Sequence, residues 1–327
     1  MLKSSAFLLA LPIMGWLWDT NHAPTEKASS KVVVGYVQDG DDTPDVASQI
    51  DYEKLTHLDI AFLNPTDADG DLGLTPHLDQ LVESAHKHGV KVLISIGGGY
   101  VSGDKTQRER YFALMADPKR SSFVAKLVGV IHDHHLDGLD VDLEGPAINK
   151  DYASLVTDLS AALMPEGKLL TAAVSVGYGG DQITKDAFSC FDLVNVMAYD
   201  ATGPWSPNRP GQHASIDLAK QNVAYWLARG VPKSKIVLGL PFYGWGFGDA
   251  FTQGGYTYAQ IIDKYPGADM LDQEGSTIWY NGIPTIQAKT KYVLDQDLAG
   301  VMIWSLNQDA KGKSSLLSAI HDVLVGK

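Results

Sequence analysis

The sequence predicts an α/β fold, a closed (β/α)8 TIM barrel with a small insertion after strand 7. Three observations predict it. Eight short runs rich in Val, Ile and Leu recur from residue 31 onward, and most are followed by a segment of helical period. The strand, helix, strand order implies a parallel sheet. Eight such units within about 300 residues favour a closed barrel over an open doubly wound sheet.

The strand candidates, in order, are K-V-V-V-G-Y-V (31–37), H-L-D-I-A-F-L (57–63), V-K-V-L-I-S-I-G (90–97) and L-D-G-L-D-V-D-L-E (136–144). They continue with L-L-T-A-A-V-S-V (169–176), D-L-V-N-V-M-A-Y (192–199), K-I-V-L-G-L-P-F (235–242) and G-V-M-I-W-S-L (300–306). The helices between them carry readable punctuation. Thr75 is placed to cap and Pro76 to enter the first turn of a helix whose Leu78, Leu81, Val82 and Ala85 share a face and which Gly89 stops. Leu155, Val156, Leu159 and Leu163 repeat in the same way ahead of Pro165. Ser215 opens a helix with Leu218, Ala219, Val223 and Leu227 on one face, closed by Gly230 and Pro232. The stretch 247–282 is too long for a plain strand-to-helix turn and reads as the insertion.

Composition suits one large domain. Of 327 residues 45% are hydrophobic, ample for a packed core. Twenty-six Lys and Arg stand against 39 Asp and Glu, a net charge of −13, which repels phosphate backbones and anionic membrane surfaces. Nucleic acid is not an expected partner, whereas an uncharged sugar needs no positive field. Cys190 is the single cysteine. It forms no intrachain disulfide and is expected to be a small buried thiol. Residues 1–30 join a basic start and an apolar stretch too short to span a bilayer comfortably to a polar linker, a signal-like segment implying a secreted or periplasmic protein. Its cleavage site is poorly marked, because Asn21-His22-Ala23 is followed by Pro24, and an uncleaved N-terminal anchor is the alternative. Residues 31–327 read as one domain, expected to be a monomer.

The fourth run carries the chemistry. Strand residues alternate faces, so Asp140, Asp142 and Glu144 share one face while Leu139, Val141 and Leu143 share the other. In a barrel the acids climb from the interior toward the C-terminal mouth, where active sites sit, with Glu144 outermost. Like charges this close raise one another's pKa values and share protons, which makes Glu144 an acid at neutral pH. Asp137 is out of phase and reads as a turn residue. A calcium loop also spaces acids by two, but leucines and valines between them do not suit one.

With Asp137 included, the pattern D-x-x-D-x-D-x-E resembles that of glycoside hydrolase family 18, the chitinases and their relatives. S-I-G-G (95–98), M-A-Y-D (197–200), G-Y (35–36), A-F (61–62) and Trp304 fall where that family has them, and the resemblance covers the chain from about residue 31 to its end. It implies retaining hydrolysis of β-1,4-linked N-acetylglucosamine polymers or oligomers, in which the substrate's own acetamide oxygen attacks the anomeric carbon. Glu144 would protonate the leaving oxygen and then activate water, Asp142 would orient the acetamide and stabilise the oxazolinium-like intermediate, and Asp140 would share a proton with Asp142. The Tyr199 hydroxyl would hold the acetamide. Tyr36, Phe62, Ser95, Gly97, Gly98, Met197, Asp200 and Trp304 complete the expected binding set, with no metal and no cofactor. The alternatives are an endo-β-N-acetylglucosaminidase acting on glycoprotein or cell-wall glycans, and a sugar-binding lectin on the same fold.

Three positions depart from the family pattern. Gly99 stands where many members have tryptophan, Gly145 where most have an aromatic, and Trp245 where many have arginine. Tyr100, Tyr178, Trp205, Phe242, Tyr243 and Trp245 are the candidate replacement platforms. Weaker signals read as structure. D-A-D-G-D-L-G (67–73) lacks the glycine and glutamate of a calcium loop, H-D-H-H (132–135) reads as a helix end, and G-K-S (312–314) lacks the glycine a phosphate loop needs.

Overall fold

Among the described residues twelve strands follow one another: β1 (Val32–Gln38), β2 (His57–Ala61), β3 (Lys91–Gly97), β4 (Gly138–Asp142), β5 (Leu169–Val174), β6 (Leu193–Val196), β7 (Ile236–Pro241), β8 (Tyr243–Gly246), β9 (Tyr256–Thr257), β10 (Gln273–Glu274), β11 (Ile278–Trp279) and β12 (Gly300–Trp304). The computed structural model describes Met1, residues 31–43 and residues 45–327. The signal-like segment, residues 1–30, lies outside the described residues apart from Met1. Lys31–Lys327 forms one compact unit.

All eight expected runs become strands, and they close in the order β1-β12-β7-β6-β5-β4-β3-β2. Every neighbouring pair is parallel, as βαβ connections demand. Leu139, Val141 and Leu143 face outward into the apolar layer between sheet and helices, joined there by Leu155, Val156, Leu159 and Leu163 from the helix Tyr152–Leu163. The inner face is different, with a small apolar patch of Val34, Tyr36, Ala61, Val237 and Met302 beside a set of buried polar side chains.

Several local expectations change. The helix after β2 runs Leu78–Lys87 and is not capped by Thr75, which lies three residues ahead of the first turn, too far for its hydroxyl to reach the free amides. Asp39, from the loop after β1, instead accepts from the His77 amide at 2.9 Å and its ring Nδ1 at 2.6 Å. Ser215 does cap Ile216–Ala228, accepting from Leu218 N at 3.1 Å. Its buried face is Ala219, Asn222, Val223 and Trp226, however, because Leu218 turns toward the barrel mouth. Cys190 ends the helix Lys185–Cys190 half-buried. Asp137 is the bend residue expected, and its carboxylate accepts from Val92 N and His86 Nε2, both at 2.8 Å. His132 and His134 meet Glu166 and Asp79 on different segments.

The insertion forms a four-stranded sheet of order β10-β11-β8-β9 with the helix Tyr258–Lys264, which a Thr257–Gln260 capping box opens. It starts earlier than expected, at Tyr243, because P-F-Y-G-W stays extended past the end of β7.

Candidate active site

The carboxylates climb as their alternation requires. Asp140 is fully buried, Asp142 is 5% exposed and Glu144 is half-buried at the mouth. β4 ends at Asp142, yet Glu144 keeps an extended backbone (φ −135°, ψ 164°) before a 3-10 turn at Gly145–Ala147, so the period of two persists through it. Asp140 Oδ2 accepts from the Tyr36 hydroxyl at 2.8 Å and the Ser95 hydroxyl at 2.7 Å. Its Oδ1 accepts from the Thr171 hydroxyl at 2.6 Å and, more loosely, from Asn195 Nδ2 at 3.4 Å. Burial raises its pKa and these donors oppose the rise. Four donors converging on one carboxyl make it the ladder's natural anion.

Asp142 lacks that support. Its Oδ1 is buried and unpartnered, and burial first, then the charges of Glu144 and Asp140, push its pKa well up. Glu144 is raised to about 7 by burial and by the Asp200 carboxylate, with the Ser175 hydroxyl pulling the other way. An acid poised at neutrality in a mouth-facing position suits general acid–base work. The Tyr199 hydroxyl has only a weak contact, 3.9 Å to the Met302 sulfur, and is left to donate elsewhere. Burial and the nearby acids keep it protonated.

A cavity of about 790 Å³ opens over these groups, within the range that holds small ligands. Tyr36, Phe62, Asp142, Glu144, Met197, Tyr199, Asp200 and Trp304 line it together, as the expected set requires. Trp304, at the end of β12, stacks on Phe62 with ring centres 5.6 Å apart and tilts against Tyr36 at 5.5 Å. Ser95, Gly97 and Gly98, expected at the ligand, sit one layer back. Ser95 is fully buried beneath the cavity and serves Asp140. A Cβ on Gly97 would stand 2.3 Å from the Asp142 carbonyl oxygen and one on Gly98 2.5 Å from the Phe62 ring, so these glycines let protein backbone and ring approach. Asp140 and Asp142 have no direct hydrogen bond between them, but the Asp140 charge is one of the causes that raise the Asp142 pKa.

The three departures acquire shapes. Gly99 lies beside Glu144, whose Oε1 would be 3.7 Å from an added Cβ. Gly145, at φ +54°, leaves room for the Tyr178 ring, 2.3 Å from where its Cβ would be, so an aromatic from the loop after β5 occupies the space beside the acid. Trp245 Nε1 donates to Asp200 Oδ1 at 2.8 Å, and the Tyr243 hydroxyl donates to the same oxygen at 2.6 Å. Tyr178, Trp205 and Tyr243 line the cavity, while Phe242 is core. Asp200 holds φ +61°, an uncommon region for a side-chain-bearing residue, and Ala201 N bonds His213 O at 3.0 Å to fix that turn. Behind it the fully buried Lys289 donates to Ala214 O and Asn281 Oδ1, both at 2.6 Å, which ties the Asp200 loop to the insertion.

Sequence reasoning missed Asp59, Thr171 and Asn195, which project inward from β2, β5 and β6 around Asp140. The signal was present, since each is a polar residue with apolar neighbours on both sides, on the inward phase of its strand.

A parallel barrel whose inward carboxylates rise to a cavity at its mouth is the kind of frame that barrel glycoside hydrolases use. The chain belongs to glycosyl hydrolases family 18, whose family model matches residues 32–309. The solved family 18 chitinase ChiB from the chitin utilization locus of Flavobacterium johnsoniae is similar at a TM-score of 0.85 and 37% identity, over 91% of this chain and 95% of that one. The endochitinase of Brugia malayi is 28% identical over 81% of this chain and 63% of its own length. A chitinase-like effector of Moniliophthora roreri is 33% identical over 73% of this chain and 64% of its own. The chain thus spans less than two thirds of those two relatives.

Proposed function

We propose that the protein is a chitinase, hydrolysing β-1,4-linked N-acetylglucosamine with retention and with the substrate's acetamide as nucleophile. The observation that carries this is Glu144, held near neutrality by burial and Asp200 at the mouth of the cavity, directly above two further buried carboxyls. Glu144 gives its proton to the leaving oxygen as the acetamide oxygen closes on the anomeric carbon, then takes a proton from the water that opens the ring intermediate. Asp142 becomes an anion beside the developing positive charge, its proton passing toward Asp140. Tyr199 donates to the acetamide oxygen and fixes its angle of attack. The substrate is a neutral glycan, in keeping with the net charge of −13. The signal-like first 30 residues support action outside the cytoplasm, where such polymers occur.

The test is Glu144→Gln on a defined N-acetylglucosamine hexamer. Loss of general acid–base catalysis costs on the order of 10³-fold in kcat, while calorimetric binding of the hexamer persists. Turnover near the parent's would remove Glu144 from the role. The hexamer's product pattern also separates this reading from an endo-β-N-acetylglucosaminidase, which cleaves N-glycans or peptidoglycan instead.

A further inference from the structure

Asp140, Asp142 and Glu144 are not the only carboxyls inside the barrel. Asp59 projects inward from β2, 1% exposed, and neither of its oxygens has a hydrogen-bond partner. Its register partners are Tyr36 on β1 and Leu93 on β3.

Donor accounting around it is one-sided. The Tyr36, Ser95 and Thr171 hydroxyls and the Asn195 amide are all directed to Asp140. None serves Asp59. A buried carboxylate without a donor is far less stable than the neutral acid, and an anionic Asp140 nearby makes a second charge costlier still. Burial first and Asp140 second raise its pKa accordingly, with the neighbouring Tyr36 hydroxyl pulling the other way.

The other ionisable groups facing Asp59 are Tyr36 from β1 and Asp142 from β4. β3 presents Leu93 and Ser95, β5 Thr171 and β6 Asn195, none of them charged. His57, one step down the same face of β2, is pushed by burial to about 4 and brings no charge. The Tyr36 hydroxyl donates its proton to Asp140 at 2.8 Å and accepts from Asn195 at 3.0 Å, which leaves one lone pair on its oxygen unused.

We propose that Asp59 is a positioning residue, a fourth rung that stays a neutral acid in the resting enzyme, turns its O–H toward the spare lone pair of Tyr36 and, through that hydroxyl, keeps the ladder's negative charge on Asp140. This rests on the hydrolytic reading above. A donor behind Tyr36 polarises its O–H and strengthens the bond to Asp140. The acid limb of kcat marks the pH at which the ladder takes up its last proton and Asp142 can no longer become an anion, so weakening that bond moves the limb upward.

The experiment compares kcat against pH for the parent, Asp59→Asn, which keeps size and a donor, and Asp59→Leu, which keeps bulk alone. The acid limb is expected to rise by a few tenths of a pH unit in Asp59→Asn and by about half a unit in Asp59→Leu, with KM within about twofold. On a Tyr36→Phe background, Asp59→Asn adds no further shift. An infrared difference spectrum, parent minus Asp59→Asn, shows the C=O stretch of a protonated carboxyl near neutral pH.

The sign decides the matter. If Asp59 were an anion, its removal would relieve repulsion and move the limb to lower pH, and the carbonyl band would be missing; either result overturns the proposal. So do superimposed profiles in both variants, which would make Asp59 a packing residue only. Should Asp59→Leu fail to fold, Asp59→Asn and the infrared band decide. A parent protein that cleaves no chitooligosaccharide removes the hydrolytic reading alone, and the infrared measurement still reports the charge of Asp59.

Discussion

The lower and upper halves of the barrel interior carry the same chemical groups under opposite conditions. Below, Asp140 is sealed from solvent and receives hydroxyls from β1, β3 and β5 and an amide from β6. Above, Asp142 keeps an unpartnered buried oxygen, the Tyr199 hydroxyl touches only a sulfur, and Glu144 is held near neutrality. A buried polar group without its partner costs free energy, so the unfinished upper half persists because the rigid lower half and the sheet fix it. On the proposed mechanism an acetamide supplies both missing partners, an N–H for Asp142 and a carbonyl oxygen for Tyr199. On that reading the lower half anchors one charge, and the upper half is left to make its bonds with a ligand.

The largest test of that contrast sets Asp142→Asn against Asp140→Asn. On the proposed mechanism the anion lost at the upper position is the one facing the intermediate, and kcat is expected to fall on the order of 10²- to 10³-fold. At the lower position an amide keeps one acceptor oxygen for four donors and never touches substrate, so a fall of about 10-fold is expected, with a loss of stability of roughly 1–3 kcal/mol from stranded hydroxyls. Steady-state kinetics with urea unfolding of each variant reads both. Equal kinetic losses with unchanged stability would erase the distinction between halves.

The contrast was only half legible in the sequence. The eight strands and the inward phase of Asp140, Asp142 and Glu144 follow from apolar runs and a period of two, which are properties of neighbouring residues along one strand. The ring around Asp140 is assembled across strands, from Tyr36, Ser95, Thr171 and Asn195, and depends on barrel closure and register, which no single run contains. Glycines show the same limit. Gly97 and Gly98 announce a close approach, but whether a ligand or the Asp142 backbone and the Phe62 ring comes close is decided by neighbours brought in by the fold. Thr75 failed as a cap because the helix starts at Leu78, three residues on, and the residue just before it, His77, is held by Asp39 from another loop.

A smaller effect is expected where the upper half meets the Asp200 cluster. The Asp200 carboxylate is the second cause of the raised Glu144 pKa, after burial. In Asp200→Asn the repulsion goes, the acid form of Glu144 becomes less favoured and the alkaline limb of kcat moves to lower pH. The move stops short of the ordinary glutamate range because burial, the larger cause, remains. Asn keeps an acceptor for the Tyr243 hydroxyl and Trp245 Nε1, so the loop stays in place and the limb reports charge. A limb moving upward would mean that Asp200 does not act on Glu144 as a like charge.

The smallest effect is expected from Thr171→Val, which removes one of the four donors to Asp140 at nearly constant shape. The other three donors come from β1, β3 and β6 and remain in place. Stability should fall by about 1 kcal/mol, the net value of one hydrogen bond, read as a lower urea midpoint at unchanged slope. kcat should stay within about threefold of the parent, because a carboxylate still held by two hydroxyls and an amide remains the preferred site of charge. A kinetic loss as deep as that of Asp142→Asn would show that Asp140 requires all four donors for turnover, and the lower half would then belong to the reaction itself.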